Sequence, residues 1–196
     1  MPCLRLAAFT ITAALTCAHP LWAQTPAPPA TAQSTPAEPA PSNDPFGEEV
    51  TLSAKTIIYL KGSGNWDSAF ETLLEAFKLV HGFLDRQNIK PVGPAMTIYT
   101  ATDDIGFQYQ AAVPIAEPPK NPPRGDIALG QSPAGKALKF VHRGSYDAMD
   151  ETYEKITNYL DDNKLEAKDM FIEEYQTDPL STPEDKLVVY VFVPLK

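Results

Sequence analysis

An internal duplication constrains the fold of this chain more than any other sequence feature. The run Trp66–Thr72 matches the run Tyr146–Thr152. Further along, Phe83–Asp85 matches Tyr159–Asp161, and the two members of this second match lie four positions closer together than those of the first. Ordered matches of this kind indicate two copies of one folding unit. The smaller offset predicts that the helix of the first copy is four residues longer than that of the second.

Each copy has the pattern of a strand, a helix and two further strands. Apolar residues at helical spacing predict helices that end near Asn88 and Asn163. The predicted strands are Val50–Leu60, Met96–Ala101 and Phe107–Pro114 in the first copy, and Lys136–Arg143, Met170–Thr177 and Leu187–Pro194 in the second. We therefore predict an α+β fold of two pseudo-symmetric β-α-β-β repeats, at about 50–117 and 134–196, forming an antiparallel sheet with two helices.

Two local patterns refine this prediction. Glycines follow the first strand of each copy, and we interpret Gly62, Gly64 and Gly144 as tight turns into the helices. The last strand is apolar on both faces, which predicts an interior position in the sheet.

The N-terminal quarter of the chain does not resemble a folded domain. Arg5 precedes a short apolar run and then small residues, the pattern of a secretory signal peptide over residues 1–23. Residues 24–49 are rich in proline and alanine and predict an extended spacer before a domain at 50–196. We expect a periplasmic or secreted protein without a stable membrane span after cleavage; the alternative is a signal retained as an anchor.

Charge and composition argue against several functions. The formal net charge is −9, and −10 without the one positive charge of Arg5, which disfavours binding to nucleic acid through a basic surface. Both cysteines, Cys3 and Cys17, lie in the predicted signal, and His81 and His142 have no zinc-binding spacing. We therefore expect no metal and no cofactor.

The residue types that suggest a ligand site occur on one predicted strand. Glu173 and Tyr175 are two residues apart, as are Phe171 and Glu173, so all three share one face of the strand. An acidic group among aromatic rings suits a flat cationic ligand, because the carboxylate neutralises the charge and the rings attract cations. The equivalent face of the first copy carries Tyr99, with Thr97 in place of Glu173, which predicts one carboxylate per cleft.

Other aromatic residues are candidates for the walls of such a cleft. Trp66 and Tyr146 occupy matched positions at the starts of the two helices, and Tyr109 lies on a predicted strand of the first copy. Core packing is the alternative interpretation for each of them. The predicted ligand-binding residues are thus Glu173, Tyr175, Tyr99, Trp66, Tyr146 and Tyr109.

Ordered motifs in the second copy resemble the GyrI-like family, also called AraC-type effector-binding domains and related to the SOUL and SHS2 folds. The motifs are His142–Tyr146, Phe171–Tyr175, Asp178-Pro179 and Val191–Leu195. The resemblance implies a pocket for an amphipathic or cationic small molecule. It also implies ligand-sensing relatives that carry DNA-binding helices, whereas here a signal and a spacer precede the domain.

Three functions remain open on the sequence. The first is an exported protein that binds an amphipathic or cationic small molecule in the cleft between the repeats. The second, suggested by some GyrI-like relatives, is a hydrolase that uses Glu173 on a strained or electrophilic small molecule. The third is a module that engages a partner protein.

Overall fold

The computed structural model describes residues 46–196. The predicted signal peptide, and the predicted spacer up to residue 45, lie outside the described residues. The first strand begins at Glu48, two residues before the predicted start of the domain.

The two repeats share one order of strands and helix, as the duplication predicts. The first repeat contains β1 (Glu48–Leu52), β2 (Thr56–Asn65), α1 (Ala69–Gln87), β3 (Met96–Thr102) and β4 (Gly106–Pro114). The second contains β5 (Ile127–Gln131), β6 (Gly135–Arg143), α2 (Met149–Asn163), β7 (Phe171–Tyr175) and β8 (Val188–Pro194). Helix α1 has 19 residues and α2 has 15, which confirms the predicted difference of four.

The sheet confirms the predicted α+β fold and its pseudo-symmetry. All strand pairs are antiparallel, in the order β1-β6-β8-β7-β3-β4-β2-β5. The halves β1-β6-β8-β7 and β5-β2-β4-β3 therefore meet at the β3–β7 pair. Strand β8 lies between β6 and β7, so its predicted interior position is confirmed.

Each repeat has one strand more than predicted, and that strand pairs with the other repeat. Strand β1 pairs with β6, and β5, in the interval predicted to connect the copies, pairs with β2. The prediction of one continuous strand over Val50–Leu60 is wrong, since residues 53–55 separate β1 from β2. In a flat sheet β1 and β2 would be six strand spacings apart, roughly 29 Å.

The connection between β1 and β2 is too short for a flat sheet. Four Cα steps from Leu52 to Thr56 span at most about 15 Å. The sheet is therefore curled, and the twist that accumulates from strand to strand permits this curling. The backbone N–H of Ser132, which follows β5, donates to the carbonyl of Lys55 at 2.9 Å, so the β1–β2 and β5–β6 connections are hydrogen-bonded to each other.

The glycines of the first repeat do not form the predicted turn. Gly62 and Gly64 lie inside β2, directly opposite Tyr109 and Phe107 of β4. A Cβ atom on Gly62 would come within 2.5 Å of the Tyr109 ring, so glycine leaves room for an aromatic ring across the ladder. Only in the second repeat does a glycine turn follow the strand, at Gly144 with φ of +111°.

The sheet buries apolar residues on both faces. One face packs against the helices, and Phe77 of α1 and Ile156 of α2 are fully enclosed there. The other face buries a second cluster around Ile98, Ile172 and Phe192, because the curled sheet folds over it. No helix among residues 46–196 combines the length and apolar character that crossing a membrane requires.

Candidate functional site

A buried carboxylate surrounded by tyrosine hydroxyls lies at the centre of the sheet. Glu173 has no exposed surface. Its Oε2 accepts hydrogen bonds from the hydroxyls of Tyr99 at 3.1 Å, Tyr146 at 3.0 Å and Tyr175 at 2.9 Å. Its Oε1 accepts from the hydroxyl of Tyr153 at 2.9 Å. Four donors from different elements thus converge on one acidic group.

The symmetric junction of the sheet places these groups together. Thr97 of β3 is paired directly with Glu173 of β7, and Tyr99 with Phe171. Side chains of paired residues project from the same face of a sheet, so all four lie on the helix side. Glu173 therefore occupies the position that Thr97 occupies in the other repeat, as the duplication predicts.

Aromatic packing fixes the orientation of the tyrosines. The Phe70 ring of α1 stacks on Tyr146 at a centroid distance of 4.8 Å. The Phe77 ring contacts Tyr175 edge to face at 5.3 Å. These contacts hold in place the Tyr175 hydroxyl, which belongs to strand β7, and the Tyr146 hydroxyl, which belongs to the 3₁₀ turn Tyr146–Ala148.

A cavity of about 320 Å³ opens beside this cluster. It is lined by Trp66, Tyr99, Thr102, Asp150, Tyr153 and Phe171, three residues from each repeat. The indole of Trp66 is 41 % exposed and is oriented by a 2.8 Å hydrogen bond from its Nε1 to the Asp103 carbonyl. Glu173 does not line the cavity, but it is hydrogen-bonded to two residues that do, Tyr99 and Tyr153. Aromatic rings with acidic groups at and behind the wall make the cavity suited to a cationic aromatic molecule.

Burial dominates the electrostatics of the cluster. Removal from water raises the pKa of Glu173 above its usual 4.5, although the hydrogen bonds from the tyrosines act in the opposite direction. Burial, and then the charge of Glu173, raise the pKa of Tyr99, Tyr146 and Tyr153 well above 10. All three hydroxyls therefore keep their protons near neutral pH.

The raised pKa of Glu173 predicts a specific pH dependence of stability. Between the unfolded value near 4.5 and the higher folded value, the folded chain binds more protons than the unfolded chain. The contribution of Glu173 is thus fully present at low pH. It falls as pH rises through this window, by up to about 1.4 kcal/mol per pH unit.

Urea unfolding of the protein and of Glu173→Gln, from about pH 4 to about pH 8, isolates this contribution because glutamine does not titrate. We expect the variant to gain stability relative to the unsubstituted protein as pH rises. A difference that is constant with pH would show that the pKa of Glu173 is not raised.

Five of the six predicted site residues meet at this site. Glu173, Tyr175, Tyr99 and Tyr146 form the hydrogen-bonded cluster, and Trp66 lines the cavity. The structure does not bring the sixth, Tyr109, to the cavity. Its ring lies across Gly62 in the β2–β4 ladder, which fixes it in the sheet beside α1.

Two cavity residues on α2 were not predicted as site residues. Tyr153 supplies the fourth hydroxyl, and Asp150 lines the opening one helical turn earlier. When Trp66 is aligned with Tyr146, they match Leu73 and Phe70 of α1. The replacement of two apolar residues by polar ones between copies is the sequence signal that identifies them.

Comparison with known families identifies the domain. The model of the GyrI-like small molecule binding domain matches residues 48–196. The chain belongs to the GyrI-like family. No curated protein matches this chain.

Solved structures share the GyrI-like fold at low sequence identity. The EcmrR C-terminal domain has a TM-score of 0.61 at 14 % identity, covering 76 % of this chain and 96 % of that one. SAV2435 bound to tetraphenylphosphonium has a TM-score of 0.53 at 15 % identity, covering 76 % and 93 %. A hydrolase from Listeria innocua has a TM-score of 0.56 at 11 % identity, covering 77 % and 92 %.

The GyrI-like domain spans only part of one of these proteins. In the EcmrR–DNA complex, with a TM-score of 0.65 at 13 % identity, this chain covers 57 % of the EcmrR chain. DNA binding by EcmrR is therefore not transferred to this protein, and the absence of a nucleic-acid partner stays a prediction. The family establishes a small-molecule-binding domain.

Proposed function

We propose that this protein binds a cationic aromatic small molecule in the cavity beside Glu173. The observation that carries the proposal is a fully buried carboxyl group held by four tyrosine hydroxyls next to a cavity with aromatic walls from both repeats. A buried acidic group without a charged partner is costly, and a bound cation would offset that cost. The structure of SAV2435 with tetraphenylphosphonium supports a ligand of this class.

The exported location is part of the same proposal. Arg5, the apolar run after it and the proline-rich spacer support a protein that acts outside the cytoplasm as a carrier, scavenger or sensor. Recovery of the mature chain in the osmotic-shock fraction would support this location, and its retention with the cytoplasmic proteins would count against it.

Charge discrimination between ligands of one shape tests the binding proposal. Tetraphenylphosphonium and tetraphenylborate are closely similar in shape and carry opposite charges. At a pH high enough to ionise Glu173, we expect calorimetric titration of the full chain to show binding of the cation at least about 30-fold tighter, because placing the anion near the carboxylate costs several kcal/mol. Equal affinities would mean that apolar contact alone drives binding, and would overturn the assignment of Glu173.

A hydrolase remains the second candidate, because a buried carboxyl group with a raised pKa can act as an acid. Glu173 would protonate the oxygen of a strained ring as its C–O bond breaks. Water would add to the carbon and return a proton to the carboxylate. Turnover of such compounds that disappears in Glu173→Ala would favour the enzyme, whereas binding without turnover would favour the carrier.

A further inference from the structure

Glu173 Oε2 and the hydroxyl oxygens of Tyr99 and Tyr146 form a closed triangle of hydrogen-bond contacts. The hydroxyls of Tyr99 and Tyr146 lie 3.1 and 3.0 Å from Glu173 Oε2. The same two hydroxyls lie 2.8 Å from each other. Each contact has the length of an O–H···O hydrogen bond, and each such bond requires one proton between its oxygens. Three separate hydrogen bonds around the triangle therefore need three protons.

The tyrosines supply only two of these protons. A tyrosine hydroxyl carries one proton, so Tyr99 and Tyr146 together provide two. The hydroxyls of Tyr175 and Tyr153 use their own protons in separate bonds to Glu173. If Glu173 were ionised, one of the three oxygen–oxygen contacts in the triangle would lack a proton and would not be a hydrogen bond. The remaining source of a proton is the carboxyl group itself.

The surroundings of the carboxyl group favour its neutral form. Strand β3 contributes Tyr99 and Thr97, the 3₁₀ turn contributes Tyr146, and β7 contributes Tyr175. Helix α2 contributes Tyr153 and, at the opening of the cavity, the acidic side chain of Asp150. Helix α1 contributes the uncharged rings of Phe70 and Phe77, and β8 pairs Val191 with Glu173. Burial among these groups opposes ionisation of Glu173 and outweighs the hydrogen bonds from the tyrosines, which act in the opposite direction.

We propose that Glu173 is a proton-binding site in the ligand-free protein, and that a cationic ligand displaces this proton one for one. This inference rests on the proposed function, because it takes the cavity beside Glu173 as the ligand site. When the proton leaves, the carboxylate and the cation neutralise each other, and the triangle keeps its two tyrosine protons. A neutral aromatic ligand would leave the proton in place, so the same cavity would accept both cationic and neutral compounds.

Proton exchange gives cations and neutral ligands different pH dependence. Where the free protein is protonated and the complex is not, cation affinity rises by up to about tenfold per pH unit. The affinity for a neutral compound such as triphenylphosphine oxide stays constant over the same range. Tetraphenylphosphonium does not titrate, so the change in affinity reports on the protein alone.

Calorimetry measures the displaced proton directly. Titration of the full chain with tetraphenylphosphonium at about pH 6, in two buffers of different ionisation enthalpy, gives the number of protons released per ligand. A glutamate with the usual pKa of 4.5 would release fewer than about 0.05 protons at that pH. We expect more than about 0.5. Tight binding with release below about 0.1 would overturn the proton-binding site while leaving the proposed function intact.

A measurement without ligand keeps the inference testable if the cation fails to bind. The infrared spectrum of the ligand-free protein should contain the C=O stretch of a protonated carboxylic acid at about pH 6 that is missing in Glu173→Gln. The absence of this band would overturn the inference whatever the ligand result. Its presence without any binding of tetraphenylphosphonium would instead overturn the proposed function.

The variants separate charge from packing. Glu173→Gln should bind tetraphenylphosphonium without releasing a proton and should bind triphenylphosphine oxide within about threefold of the unsubstituted protein. Glu174→Gln serves as the matched control, because Glu174 lies next in sequence on the opposite face of β7 and pairs with Lys55 at 2.6 Å. It should release the same number of protons as the unsubstituted protein. Loss of proton release in Glu174→Gln would overturn the assignment to Glu173.

Discussion

Replacing Glu173 with glutamine is expected to weaken tetraphenylphosphonium binding by about 30- to 1000-fold at pH above 7. The variant keeps the size and hydrogen-bonding capacity of the side chain and loses only its ability to carry charge. Removing one partner of a buried charge pair typically costs about 2–4 kcal/mol, which corresponds to this range. Glu173 is fully buried and is hydrogen-bonded to Tyr99 and Tyr153, which line the cavity, so solvent screens its interaction with a bound cation only weakly.

The neighbouring glutamate provides the control for this expectation. Glu174 is on the opposite face of the strand, bound to Lys55, and Glu174→Gln should change the affinity by less than about twofold. Isothermal titration of the two variants and the unsubstituted protein measures all three affinities. Equal losses in both variants would show that the net charge of the protein, rather than the buried carboxyl, attracts the ligand.

Replacing Phe77 with alanine is expected to lower the free energy of unfolding by about 3–5 kcal/mol. Phe77 is fully buried at the centre of α1 and meets the Tyr175 ring edge to face. Truncation removes the apolar contacts of a large ring and leaves a cavity that the surrounding helix and sheet fill only in part. Because Tyr175 loses its support, its hydroxyl would also be held less firmly against Glu173.

Urea unfolding monitored by circular dichroism measures this loss, with Leu79→Ala as the control. Leu79 lies two residues away on the same helix, but 58 % of its surface is exposed. Its replacement should change the free energy of unfolding by less than about 0.5 kcal/mol. Similar losses in the two variants would mean that α1 contributes through helix propensity alone and does not anchor the site.

The fold was predictable because the same pattern occurs twice in the chain. The change of offset between the two matched runs predicted how the lengths of α1 and α2 differ, and the structure gives 19 and 15. The paired positions of Thr97 and Glu173 in the two copies became direct partners across the β3–β7 junction. A pseudo-twofold axis brings equivalent positions together, so an alignment of the two copies predicts contacts near that axis.

Residues that reach the site from a helix were harder to predict. Tyr153 has the spacing of a core residue on α2, and nothing near it in sequence indicates that its hydroxyl meets Glu173. Its difference from Leu73 in the matched position was the available signal. The position of Tyr109 opposite Gly62 could not be predicted either, because it depends on the register of β2 against β4.

Local periodicity and side-chain alternation were enough to predict the repeated strand and helix pattern and the acidic residue among aromatic residues on one strand face. The pairing of β1 and β5 with the opposite repeats is evident only in the folded chain. The same holds for the convergence of four hydroxyls, from three elements and a turn, on one carboxyl group. Strand exchange and the convergence of the hydroxyls depend on how far the sheet curls, and that curl is set by packing between residues distant in sequence.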